Sequence, residues 1–326
     1  VTRKGWLLFA AISLFWGIPY LFIKVAVGQL DPVVVVVGRT GIAAAVLLPV
    51  AAYRGALRPL NRHWPAVASL ALIQIAGPFL LISYGEQHIS SSLTSLLIAS
   101  EPLLIALLAL HLDRAERVGG ARFAGLLLGI GGVVMLLGLD VGGDRLALVG
   151  AGMVLLATAG YAASALMLRR RPYTVLPSLG VVAGECTVAT VVLGPMALTR
   201  MPNHLPDAAV LASLAVLGLV CTAVAYLAFF ALVAEVGASR GSVFTYVNPA
   251  VAVTLGAVVL GEPVGYTTVA GFLLIILGCL LSTGITIPPV LAARPRAPSL
   301  RGGALDAVAG KSQACDNSPG FARDAT

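Results

Sequence analysis

Apolar runs of about twenty residues follow one another along nearly the whole chain. They fall near 6–27, 32–53, 64–84, 91–112, 119–139, 146–168, 175–198, 208–232, 241–261 and 264–286. A helix rises about 1.5 Å per residue, so about twenty apolar residues cross a hydrocarbon core of roughly 30 Å. The pattern predicts an all-α polytopic membrane protein with ten transmembrane helices. The links are short and polar, as in GQLDP at 28–32, LDVGGD at 139–144 and TRMPNHLPD at 199–207. They leave no room for a catalytic domain outside the membrane. From about Pro288 the pattern stops, and the Pro, Gly and charge of 287–326 predict a disordered basic tail.

Composition supports the same class. Of 326 residues, 59% are hydrophobic and only 11% charged, against about 25% charged in soluble domains. A disulfide scaffold and a coiled coil are excluded. The four cysteines, Cys186, Cys221, Cys279 and Cys315, show neither paired nor zinc-ligand spacing, and no cofactor or metal is expected. The net charge of +7 does not point to nucleic acid, because the basic residues lie in clusters between apolar runs. The first run follows Arg3 and Lys4, is too long for a signal h-region, and is read as a retained helix.

Basic residues also orient the chain. With the N-terminus cytoplasmic, that side receives Arg3, Lys4, Arg54, Arg58, Arg62, Arg114, Arg117, Arg122, Arg169 to Arg171, Arg240 and the tail. The other side receives only Arg145 and Arg200. Both termini are expected in the cytoplasm. The heavy use of Ala, Val, Leu, Gly and Arg suggests a GC-rich bacterial genome, hence a bacterial inner membrane.

A shift of 146 residues places RAERVGGARFAGLLLGIGGVVMLLG at 114–138 over LGEPVGYTTVAGFLLIILGCLLSTG at 260–284. Glu116 then falls on Glu262, Gly125 on Gly271, Gly132 on Gly278 and, upstream, Pro49 on Pro195. With a one-residue slip, Glu101-Pro102 lies over Asn248-Pro249. The expected repeats are 1–139 and 146–286, five helices each. An odd number makes the second repeat enter the membrane in the opposite sense. Inverted repeats of this kind place a solute site near the midplane between the halves.

Several segments carry a family resemblance. FWGIPYLFIKVA at 15–26, LLIASEPLLIALLALHLDRAER at 96–117 and FTYVNPAVAVTLGAVVLGEPVGYTTVAGFLLIILG at 244–278 resemble EamA-type members of the drug/metabolite transporter superfamily. The resemblance covers about residues 6–286. It implies ten helices, a central cavity between inverted halves, and alternating access for small metabolites. Bacterial relatives are mostly described as exporters of amino acids, other metabolites or toxic compounds. One departure is Tyr161, where such repeats often place Trp.

Ionisable groups within a membrane are costly and need a partner or a wet cavity. Lys24, Arg39, Glu101 and Glu185 are such groups. Arg39 and Glu185 are 146 residues apart, so inversion sets them at related depths, where they are expected to line or gate the path and to pair in one state. A static ion pair between helices is the competing reading. Pro102 and Pro249 remove backbone donors beside Glu101 and Asn248, which makes both pairs candidates for the cavity wall. Glu101 is the candidate proton or cationic-substrate acceptor. Lys24 lies near a membrane surface and can snorkel. Trp16, Tyr20, Tyr84, Tyr161, Tyr226 and Tyr246 are candidates to stack on an organic substrate.

Enzymatic readings find little support. Gly237-Ala238-Ser239-Arg240-Gly241 matches a nucleophile-elbow pattern, but it lies in an interhelical link without a nearby histidine. A secondary transporter is expected, with a passive channel as alternative and an intramembrane enzyme a weaker one. The partners are a small-molecule solute and the bilayer. Proton coupling, uncoupled facilitation, exchange and oligomeric state are left open.

Overall fold

The computed structural model describes residues 2–112, 120–140, 144–236 and 242–283. The tail, Cys315, Glu116 and the 237–241 segment lie outside these residues. Among the described residues, eight helices are long and apolar enough to cross a membrane. They are α1 (Arg3–Ala26), α2 (Pro32–Tyr53), α3 (Trp64–Gly85), α4 (Ser91–Ala109), α5 (Gly120–Gly138), α6 (Arg145–Met167), α7 (Ser178–Leu198) and α8 (Ala208–Val236). Two shorter apolar helices, α9 (Phe244–Leu260) and α10 (Tyr266–Ser282), complete the ten. All regular structure among the described residues is helical.

The links set the helix starts. Thr2, Asp31, Ser90 and Asp144 each accept a hydrogen bond from a backbone N–H in the first turn of α1, α2, α4 and α6. Each cap satisfies a donor that the helix leaves open. Because successive helices cross in alternate directions, the links at 54–63 and 168–177 share the face on which the chain begins. The links at 27–31, 86–90, 199–207 and 261–265 lie on the opposite face.

Packing follows the repeat. The repeat mates α2 and α7 pack together, as do α5 and α10, while α1 lies on α8 and α6 on α3. That exchange, first helix on third in both directions, is what two halves related by a two-fold produce. Glycine makes the closest crossing possible: a Cβ on Gly278 of α10 would stand 2.5 Å from the Gly129 Cα of α5. At α2–α7 the Thr190 hydroxyl donates to the Thr40 hydroxyl at 2.8 Å.

The third helix of each repeat is locally widened into a π turn, at Ala71–Ala76 in α3 and Val216–Val224 in α8. Adding 146 to 71–76 gives 217–222, within the second turn. Other helices are broken. The α-helical geometry of α1 lapses between Phe15 and Pro19, that of α4 between Ile98 and Glu101, and α9 opens as a 3-10 turn before Asn248. A ring without an N–H follows each break, at Pro19, Pro102 and Pro249, so the backbone gives way where its ladder is already missing a donor.

Candidate functional site

The breaks and π turns converge on a cavity of about 340 Å³. Its wall takes Trp16, Pro19, Tyr20 and Ile23 from α1, Gln74, Phe79 and Ile82 from α3, and Ile98 and Glu101 from α4. The other half supplies Tyr161 and Leu168 from α6 and its end, Cys221, Tyr226 and Phe229 from α8, and Phe244 and Asn248 from α9. Arg39 of α2 completes it. Ile23, Ile82 and Ile98 form its apolar floor: Ile23 and Ile82 lie close to the far-face ends of α1 and α3, and Ile98 ends the far-face segment of α4 at the break. Leu168 marks the other end of the cavity, at the near-face end of α6.

Two ionisable side chains stand in this wall. Arg39 is 7% exposed, its Nε donates to the Thr222 hydroxyl at 2.9 Å, and its guanidinium lies 3.8 Å from the centre of the Phe79 ring. Cation–π contact and one hydrogen bond hold the group flat. Thr222 is available because the π turn of α8 lets its hydroxyl donate to the Leu217 carbonyl, five residues back, at 2.8 Å. Glu101 begins the second segment of α4 and faces the cavity as its acidic group.

The aromatic residues form one cluster around Trp16. Its ring centre lies 5.1 Å from Phe244, 5.2 Å from Phe229 and 5.5 Å from Tyr226. These are ordinary edge and tilted distances for aromatic pairs. The cluster joins the repeats, with Trp16 in the first and its partners in the second. Asn248 is satisfied in the orientation in which its amide nitrogen donates to the carbonyls of Phe244 (3.0 Å) and Ser13 (3.2 Å).

The wall therefore brings together Trp16, Tyr20, Arg39, Glu101, Tyr161, Tyr226 and Asn248 among the residues singled out in the sequence. Others stand elsewhere. Pro102 and Pro249 sit behind Glu101 and Asn248 at the helix restarts. The Lys24 ammonium donates to the backbone carbonyls of Glu86 and Ile89, tying α1 to the link after α3. Tyr84 lies at the far face, its hydroxyl 3.5 Å from Arg200 Nη1. Tyr246 packs against the core formed by α4, α5, α6 and α10. Glu185 is fully buried in α7, and neither carboxylate oxygen has a hydrogen-bond partner among the described residues.

Sequence reasoning passed over Gln74, Phe79, Phe229 and Phe244. The phenylalanines are indistinguishable by type from lipid-facing ones, but Gln74, an amide in the middle of an apolar run, was a readable signal. Glu86, fully buried at the far-face end of α3 with both oxygens unpartnered among the described residues, was also missed.

Ten apolar helices in two related halves, closed around a cavity lined by an arginine, a carboxyl group and aromatic rings, are the build of a membrane solute carrier. The chain belongs to the EamA-like transporter family, whose model matches residues 3–138 and again 148–284. It is a multi-pass membrane transporter of a small molecule. Similar proteins include an uncharacterized transporter of Archaeoglobus fulgidus, 26% identical over 84% of this chain and 97% of the relative. An uncharacterized transporter of Bacillus subtilis is 26% identical over 86% of this chain and 92% of its own. A probable terminal-alkyne amino-acid exporter of Streptantibioticus cattleyicolor is 27% identical over 80% of this chain and 87% of its own. A crystal structure with 21% identity superposes with a TM-score of 0.62, covering 87% of this chain and 97% of that one, and shares the fold.

Proposed function

We propose that the chain exports small zwitterionic metabolites of the amino-acid kind across a bacterial inner membrane by alternating access. The observation that carries this reading is that Arg39 and Glu101 both line one cavity between the repeats. Arg39 uses its Nε donor on Thr222 and keeps its terminal nitrogens for a carboxylate, which a guanidinium binds through two parallel hydrogen bonds. Glu101 receives the ammonium group, or a proton when the solute lacks one. Trp16, Tyr226, Phe229 and Phe244 offer flat apolar contact to the rest of the solute. The exporter of Streptantibioticus cattleyicolor supports the same solute class and direction.

The repeats are taken as 1–139 and 146–286, with 287–326 a cytoplasmic tail. The distribution of Arg and Lys supports a cytoplasmic N-terminus, which makes the near face cytoplasmic and the cavity one that loads from inside. Everted membrane vesicles test direction and coupling. Labelled amino acids should accumulate in vesicles that contain the protein, and collapse of the pH gradient should abolish that accumulation. Entry that only equilibrates would mark a facilitator instead.

A further inference from the structure

On the far face the link between α9 and α10 reaches across to the first repeat. Gly261 adopts a left-handed conformation (φ +66°) that ends α9. That turn brings the Glu262 N–H to the Gly256 carbonyl at 3.0 Å and folds the Glu262 side chain back over the last turns of α9. Its carboxylate accepts from the backbone N–H of Ser91 at 2.7 Å and of Ser92 at 3.0 Å, and from the Ser92 hydroxyl. These donors are the first turn of α4, which begins in the other repeat. An anion at a helix N-terminus gains from open N–H groups and from the helix dipole together.

The surroundings are shaped for this contact. Ser91 and Ser92 are buried. A Cβ at Gly256 would stand 2.5 Å from both Glu262 Oε2 and the Ser92 hydroxyl, so only glycine leaves the space. Other polar contacts also join the repeats on this face. Arg200 Nη1 donates to Asp31 at 2.9 Å, and the Gln29 amide exchanges hydrogen bonds with Asp207. The Arg200 side chain is 44% exposed, and exposed pairs contribute little. Glu262 alone combines partial burial with three charge-assisted donors.

The helices joined by this contact are two walls of the cavity. α4 carries Ile98 and Glu101, and α9 carries Phe244 and Asn248. α9 packs along the far-face segment of α4, Ser91–Ile98, whereas the segment from Glu101 onward packs on α6 and α10. A carboxylate bound at the far tip thus holds α4 and α9 together above the Ile23–Ile82–Ile98 floor.

We propose that Glu262 is the latch that keeps the far face shut, and that opening the cavity to that face requires the carboxylate to leave the N-terminus of α4. The proposal rests on the alternating-access reading, but its test needs neither a substrate nor flux. Nitroxides are placed at Gln87 and Pro263, exposed positions beside the two halves of the latch, in full-length protein whose four cysteines are replaced by serine. Dipolar broadening then reports how often the two links are close. Glu262→Gln should raise the ratio of separated to close pairs about fivefold, the size of one lost helix cap. Ser92→Ala should raise it by a smaller factor, and Gly256→Ala should raise it with the carboxylate intact. Ser92→Ala decides the matter should Glu262→Gln not fold. Broadening in the variants equal to the parent would overturn the proposal. Separation in the variants of a protein that moves no solute would retain the latch and refute the transport reading alone.

Discussion

Arg39 and Thr222 meet across the two repeats, the guanidinium Nε donating to the hydroxyl at 2.9 Å from a residue held in a π turn. The cation that faces the cavity is therefore positioned by the opposite half of the protein. Any rotation of one repeat against the other must stretch this bond, which links solute binding to the relative position of the halves.

Replacing Arg39 by Lys keeps the charge but loses both the Thr222 bond and the planar contact with Phe79. Hydrogen bonds to charged groups contribute about 1.5–3 kcal/mol. The expected result is a rise in the half-saturating concentration of a carboxylate-bearing solute by roughly 10–100-fold. Thr222→Val should give a smaller rise in the same direction. Concentration-dependent flux in proteoliposomes measures both, and an unchanged half-saturation in Arg39→Lys would remove the residue from the site.

Trp16 is the hub of the aromatic cluster, so Trp16→Ala should act on selectivity. Solutes with large apolar side chains should lose affinity more than small ones, because aromatic pairs contribute about 0.5–1.5 kcal/mol beyond burial. Trp16→Phe should retain most of the preference. Competition by a size series of unlabelled solutes reads the difference, and equal losses across the series would place the cluster in structure only.

At the α5–α10 crossing, a side chain on Gly278 meets backbone rather than a movable side chain. Gly278→Leu should force the helices apart, with an overpacking cost of about 1–3 kcal/mol. Thermal unfolding in detergent should show a clear drop in midpoint. Gly131→Ala, on the same helix as Gly129 but with nothing within 4 Å of its Cβ position, should leave it nearly unchanged.

The latch also has a pH signature. Partial burial pushes the Glu262 carboxyl up, but the hydrogen bonds from Ser92 and Ser91 outweigh it and hold the group below the ordinary value of 4.5. A carboxylate whose pKa is depressed in the closed state stabilises that state above its free value and loses the effect as pH falls through the depressed one. Broadening between positions 87 and 263 should stay constant from neutral pH to about 5 and weaken only below the ordinary value. Lys24, bound to the carbonyls of Glu86 and Ile89, and the neighbouring Glu86 are the other titratable groups beside the latch. Loosening on alkalinisation instead would show that the Glu262 carboxylate does not set the response.

Much of this architecture is readable from residue order. Twenty-residue apolar runs fix the helices, because the bilayer admits few other backbones, and Glu101-Pro102 and Asn248-Pro249 mark helix breaks. The two π turns are not readable, since ALIQIA and VLGLVCTAV differ little in composition from any other spanning stretch. Their lack of signal hides the role of Thr222, whereas the Gln74 amide stands out within its apolar run. Lys24 and Tyr84 show a different limit. Their types fit a substrate path, but one residue more or less along a helix turns a side chain by about 100°. Lys24 instead meets backbone carbonyls, and Tyr84 a salt bridge at the surface. Glu262 sits in a link, and the helix it caps lies 170 residues away in sequence, which residue order does not disclose.

The central claim is that a zwitterion is carried through the Arg39–Glu101 cavity. Proteoliposomes containing the parent chain, Arg39→Ala or Glu101→Gln would be loaded with a pooled panel of labelled amino acids, and protein-dependent release followed. The account predicts release of at least one zwitterionic amino acid by the parent, reduced tenfold or more in both variants while the protein remains folded. Release that survives both substitutions, or a parent that moves no zwitterion, would contradict it.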